Sequence, residues 1–175
     1  LLFGSGLRVS ELTSLRITDL PDTFDFLRVM GKGSKERLVP MGTQSAKALK
    51  EYLKNARPTF ALKQLNKKPS KAKLRARPTR KDTDSLFLTR MGTGILRKMV
   101  WFLLRRYAAA AGLPKNLLKP HLLRHSFATH LTGNGAELNA VKELLGHSSL
   151  AATQVYTHNN IERLRDIHKK AHPKG

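Results

Sequence analysis

The densest chemical signal in the chain is His121-Leu122-Leu123-Arg124-His125-Ser126-Phe127-Ala128-Thr129-His130-Leu131. On a helix His121 and Arg124 are three apart and share a face, which presents an imidazole beside a guanidinium. Leu123, Phe127 and Leu131 form the opposite, core-facing stripe. A second cluster, Leu144-Leu145-Gly146-His147-Ser148-Ser149, supplies a glycine to end one helix and a serine to cap the next, with His147 at the joint where it can project into a cleft. A third, Thr153-Gln154-Val155-Tyr156-Thr157-His158, sets a tyrosine among polar neighbours. Upstream stand Gly6-Leu7-Arg8-Val9-Ser10-Glu11-Leu12 and Gly31-Lys32-Gly33-Ser34-Lys35-Glu36-Arg37.

Each group has a plainer alternative. Tyr156 alone reads as an ordinary half-buried tyrosine. His121 and His125, four apart, imitate a zinc pair, but the pattern holds no carboxylate and Arg124 repels a cation, so no metal is expected. His125 and His130 read as supporting residues, and His158 and His168 as surface ones. Glu11 reads as an ion-pair support for Arg8. Trp101 and Phe102, beside Leu103 and Leu104, read as core.

The elements that must position these groups follow from periodicity and breakers. Ser10 is the expected cap of a short helix carrying Leu12 and Leu15. Phe26–Met30 and Arg37–Pro40 read as strands of a β-hairpin around a glycine-punctuated turn. A helix is expected over about 44–55, with Ala48, Leu49, Tyr52 and Leu53 as its apolar stripe. Residues 57–81, crowded with Lys and Arg and broken by three prolines, read as a mobile basic loop. A short strand at 85–88 precedes helices near 94–111, 121–132, 138–145, 150–157 and 161–170. The expected fold is mainly α with a small antiparallel β-sheet (α+β).

Thirty-three Lys and Arg against 12 Asp and Glu leave a formal charge of +21 over 175 residues. That is enough chain for one domain with a real core. Such an excess of like charge is tolerated when a polyanion is the partner. Nucleic acid comes first and an anionic membrane surface second; a basic ribosomal-type protein fits the same numbers. The absence of cysteine excludes disulfides and thiolate metal sites. No apolar run approaches the ~20 residues of a membrane helix, and an intracellular location is expected. The opening Leu1-Leu2-Phe3 reads as the tail of a helix whose earlier part is missing.

The five motifs, in this order, resemble the tyrosine recombinase (phage integrase) family and within it the Xer-type recombinases: Gly-Leu-Arg-x-Ser-Glu-Leu, Gly-Lys-Gly-x-Lys-Glu-Arg, His-x-x-Arg-His, Leu-Gly-His-Ser and Gln-x-Tyr-Thr-His. The resemblance spans almost the whole chain, and the basic stretch at 57–81 departs from it. It implies the catalytic-domain fold of that family over 1–175, without the N-terminal domain that clamps the other DNA face. It implies that Arg8 and Arg124 grip the scissile phosphate, where guanidinium offers a permanent charge and a planar fork of donors. Tyr156 is the implied nucleophile and His121 the general base. Lys32, rather than Lys35, protonates the leaving 5′-oxygen, and His147 donates a hydrogen bond to the phosphate. No cofactor is implied. The implied partners are double-stranded DNA and a homo- or hetero-tetramer of protomers on two duplexes, with an accessory activating protein and no membrane. The setting is cytoplasmic, at the nucleoid. The roles left open are chromosome dimer resolution and integration or excision of a mobile element, with type IB topoisomerase-like relaxation or a non-catalytic DNA-binding module as alternatives. The segment 160–175, amphipathic through Ile161, Leu164 and Ile167, is expected to dock on a neighbouring protomer.

Overall fold

The computed structural model describes residues 1–31, 36–65, 84–114, 117–146 and 158–173. In chain order the elements are α1 (Val9–Ser14), a 3-10 turn at Ile17–Asp19, β1 (Phe26–Met30), β2 (Glu36–Pro40), α2 (Thr43–Glu51), a π-turn (Tyr52–Ala56) and α3 (Arg57–Leu65). Then come α4 (Arg97–Ala110), α5 (Pro120–Gly133), α6 (Leu138–Leu145) and α7 (His158–Ala171). The mainly helical class with one antiparallel hairpin is the one the pattern implied. The expected helix at 150–157 lies outside the described residues.

Two cores organise these elements. In the hairpin Leu27 faces Val39 and Val29 faces Arg37, and because strand side chains alternate in face, all four point inward. Leu27, Val29 and Val39 join Leu7, Leu15, Met41, Leu49 and Leu86 in the first core. The second core is helical. Phe127 and Leu131 of α5 meet Ala140, Val141, Leu144 and Leu145 of α6, with Leu164 and Ala171 of α7.

Several local expectations change. Arg8, not Ser10, precedes the first turn of α1, and its backbone N–H donates to the Glu11 carboxylate at 2.7 Å. The basic loop begins later than expected, because residues 57–65 are helical; residues 66–81 lie outside the described ones. Pro58 has no N–H to give and its ring crowds the preceding turn. The helix passes it by widening into the π-turn, where the Arg57 N–H reaches the Tyr52 carbonyl. The strand expected at 85–88 is only a pair of isolated bridges, Arg16 with Ser85 and Leu88 with Gly94.

Trp101 and Phe102 are not core: they are 37% and 53% exposed. In α4 the buried residues are Val100 and Ala108. Each residue turns the helix by about 100°, so Phe102 falls on the far side and Trp101 on the flank. Cations cover both rings, Lys98 over Phe102 at 5.9 Å and Arg105 over Trp101 at 4.4 Å.

His168 is not a surface residue either; it is 2% exposed. The buried line of α7 runs through Leu164, His168 and Ala171, at helical spacing. Consequently α7 packs on its own domain, filling the face that α5 and α6 present. Deleting residues from 160 onward would strip this core, so truncation would test folding before it tested assembly.

His168 and His172 stack with centroids 4.9 Å apart, and Phe127 lies 5.9 and 5.5 Å from them. Burial lowers both imidazole pKa values from 6.5, and the neighbouring His168 helps bring His172 to about 4. An unfolded chain therefore binds more protons than the fold between about 6.5 and about 4, and stability falls as pH drops through that window. Thermal melting should show a midpoint that declines from about pH 7 to about pH 5, with a flatter acid limb in His172→Phe. A wild-type midpoint constant over that range would contradict this account.

Candidate active site

One carboxylate gathers the basic residues. Glu11, on α1, is 5% exposed. Arg8 reaches its Oε1 through Nη1 at 2.9 Å. Arg37, from β2, grips both oxygens, Nη1 to Oε1 and Nη2 to Oε2, each at 2.9 Å. Arg124, from α5, stands on the Oε2 side with Nη1 at 3.8 Å. Three guanidinium groups around one carboxylate leave two positive charges in excess.

Arg124 is fixed further by the backbone. Its Nη1 donates to the Gly6 carbonyl at 2.6 Å and its Nη2 to the Leu145 carbonyl. These bonds use two of the five N–H groups a guanidinium carries. Arg8 is the open member of the set, with a side chain 38% exposed. A small anion can therefore meet Arg8 from solvent.

Two glycines make the close approaches possible. Gly6 has φ +58, and a Cβ there would lie 2.5 Å from the Phe127 ring. The Gly6 carbonyl can meet Arg124 because nothing separates this backbone from α5. Gly146 ends α6 in the left-handed region at φ +64, and a Cβ would stand 3.0 Å from Arg37 Cδ and Nε. Arg37 thus lies under the α6 C-terminus as well as against Glu11.

The electrostatics follow from this crowding. Burial pushes the Glu11 carboxyl up, but the hydrogen bonds and charge of Arg37, then those of Arg8, outweigh it and hold the group below its ordinary value. Arg124 is pulled down to about 10, first by burial and then by the like charge of Arg8; Glu11 opposes the shift and Arg37 adds to it. Arg124 remains a cation at neutral pH, and an arriving anion would relieve the repulsion that depresses it.

Of the six residues picked out from the motifs, the fold brings Arg8 and Arg124 to opposite oxygens of the same carboxylate. His121 is exposed on the first turn of α5, one turn before Arg124. Arg124 is not on the face away from the core, however. It shares the buried stripe with Phe127 and Leu131, so its aliphatic stem runs through apolar surroundings. Lys32, His147 and Tyr156 lie outside the described residues. The ion pair expected between Glu11 and Arg8 is present. Sequence reasoning missed Arg37. The available signal was its register, an arginine two residues before Val39 on the inward face of a strand. His130 has a supporting role, its Nδ1 2.7 Å from the Ser126 carbonyl and its ring edge-on to Phe3. Among the described residues, no three His, Asp or Glu side chains gather as metal ligands would, and no helix is long and apolar enough to cross a membrane.

The profile of the phage integrase family matches residues 1–163. The chain belongs to that family. Tyrosine recombinase XerD of Listeria monocytogenes serotype 4b (strain F2365) is 42% identical over 175 residues, which is all of this chain and 53% of the relative. This integrase-family chain therefore spans about half the length of such relatives. Among solved structures, XerA recombinase superposes with a TM-score of 0.64 at 28% identity, over 99% of this chain and 56% of the other. XerH site-specific recombinase, bound to a palindromic difH substrate in a post-cleavage complex, gives a TM-score of 0.62 at 29% identity, over 94% and 42%. The fold is that of a tyrosine recombinase catalytic domain, as the motif order implied.

Removing one partner of a buried ion pair costs about 3–5 kcal/mol, because the other charges are left uncompensated. Glu11→Gln should therefore lower the melting midpoint markedly. It should also remove part of the acid limb: the Glu11 contribution is complete above its ordinary 4.5 and is lost as pH falls through its lower folded value. Equal melting of wild type and Glu11→Gln at neutral pH would contradict the central role assigned to this carboxylate.

Proposed function

We propose that this chain is the catalytic half of a site-specific DNA recombinase of the Xer type, which cleaves and rejoins strands through a 3′-phosphotyrosyl bond to Tyr156. The observation that carries the proposal is the convergence of Arg8 and Arg124 on one carboxylate with two positive charges in excess. A phosphodiester is the anion such a site suits, since a guanidinium fork matches two non-bridging oxygens. The overall charge of +21 supports a polyanionic substrate. The named relatives support strand exchange, and the XerH structure holds its difH substrate.

In this reading Arg8 and Arg124 hold the two non-bridging oxygens and neutralise the charge that builds in the pentacoordinate transition state. A free phenol has a pKa of about 10, so attack by Tyr156 needs a proton acceptor, and His121 takes that role. The phenolic oxygen bonds to phosphorus as the bond to the 5′-oxygen breaks. Lys32 gives that oxygen a proton and His147 donates a hydrogen bond to the phosphate. The products are a 3′-phosphotyrosine and a free 5′-hydroxyl. The covalent bond conserves the phosphodiester energy, so religation needs neither ATP nor a cofactor.

The assembly that fits this chemistry is a homo- or hetero-tetramer on two duplexes, with an accessory activator, working in the cytoplasm at the nucleoid. Its biological use is chromosome dimer resolution or the movement of a mobile element. Docking of the 160–175 segment on a neighbouring protomer would require α7 to leave the face of α5 and α6 that it fills here.

A library of nicked suicide duplexes, incubated with the chain in EDTA, tests the reading. Covalent adduct at one defined sequence is the expected result. Adduct without sequence preference would mean a relaxing topoisomerase instead, and no adduct a binding module. Tyr156→Phe should abolish the adduct while leaving DNA affinity within about twofold, and affinity should fall steeply with salt as phosphate counterions are released.

A further inference from the structure

His168 lies far from the site in sequence, yet it touches the segment that builds it. Its Nε2 is 2.8 Å from the Gly4 carbonyl, a contact across 164 residues of chain. A carbonyl only accepts, so Nε2 carries the proton and donates. Two residues further on, the Gly6 carbonyl receives Arg124 Nη1 at 2.6 Å. Two more residues bring Arg8. One short stretch, 4–8, thus receives a bond from α7, supplies an acceptor to one arginine and carries the other.

A second contact runs in parallel. The Phe127 ring lies 5.9 Å from the His168 ring, and it is the surface against which Gly6 is pressed. Phe127 follows Arg124 by one turn of α5. His168 therefore borders both sides of the Gly6–Arg124 bond: the backbone that accepts it and the helix that donates it. Hydrophobic packing of α7 needs no polar atom at position 168, as Leu164 and Ala171 on the same stripe illustrate.

We propose that His168 is a positioning residue for the arginine pair, its Nε2–H donation to the Gly4 carbonyl holding segment 4–8 where Arg8 and Arg124 can share one phosphate. Burial keeps its imidazole neutral near pH 7, with the Gly4 bond working in the opposite direction. The inference rests on the recombinase reading for its catalytic consequence, and on the geometry alone for its effect on Arg124.

The test compares His168→Gln, whose amide nitrogen can stand where Nε2 stands, with His168→Leu, which fills similar space and cannot donate. Leu164→Ala serves as a control that loosens the same helix without touching the bond. Solvent exchange of the Arg124 guanidinium, read by nitrogen-resolved NMR on the DNA-free chain, reports the positioning. The single-turnover rate of adduct formation at saturating suicide DNA reports its use.

His168→Leu should speed guanidinium exchange and slow adduct formation by about 10- to 100-fold, the scale of a misplacement near 1 Å, with DNA affinity little changed. His168→Gln should restore both. Leu164→Ala, at an equal or larger loss of melting temperature, should keep Arg124 protected and the rate within about threefold. If His168→Leu does not fold, His168→Asn, whose amide stops short of Gly4, takes its place with the same expectation. Unchanged exchange in the non-donating variant, or equal loss in Leu164→Ala, would overturn the proposal. A wild-type chain that forms no adduct would remove the recombinase reading, while Arg124 exchange would still decide the positioning claim.

Discussion

The buried carboxylate of Glu11 is the constraint around which the rest of the structure is arranged. Unit charges about 5 Å apart repel by about 3 kcal/mol at an effective dielectric near 20, so three guanidinium groups would not stay together at the domain interior unaided. Glu11 brings them together from the residue before α1, from β2 and from α5 with only two oxygen atoms. It does so incompletely, since one negative charge cannot cancel three positive ones. The remaining charge makes the cluster receptive to an anion, and the partly exposed Arg8 is where that anion can enter.

The cluster lies at the seam between the two apolar cores. Leu7 belongs to the hairpin core, while its neighbour Gly6 is pressed against Phe127 of the helical core. Arg37 leaves the hairpin to lie beneath Gly146 at the end of α6. Polar groups at such a seam can be shielded from water on several sides and still face solvent on one. Neither core alone could hold the site, because each contributes a different arginine and the acceptors come from both.

Desolvation acts on this architecture in two ways. At the arginine cluster it depresses Arg124 while strengthening every interaction that Arg124 makes. At the far side of the helical core it keeps His168 and His172 below their ordinary values and lets imidazole rings serve as flat packing surfaces against Phe127. Both sites are tied to the N-terminal residues 3–8, through His168 to Gly4 and through Arg124 to Gly6. The first eight residues are therefore structural parts of both the core and the site.

The fold class, the hairpin, most helix boundaries and the order of the chemical motifs are legible in the residues themselves. Those features rest on local rules: side-chain alternation, helical period, and glycine and proline as breakers. Placement on the short helix marked Glu11 as the support of Arg8, whereas the pairing of Arg8 with Arg124 came from the resemblance to the recombinase family. Features that depend on neighbours distant in the chain emerged with folding. Arg37 turned inward to share Glu11 because its register opposite Val29 pointed it there. Arg124 joined the core stripe because its fork finds acceptors at Gly6 and Leu145, which offset the burial. Trp101 and Phe102 were left outside because α4 is held by Val100 and Ala108. His168 was drawn inside by a carbonyl 164 residues away. A polar side chain's place is set by whether a partner waits for it in the folded chain, and that partner has no signature in the residues beside it.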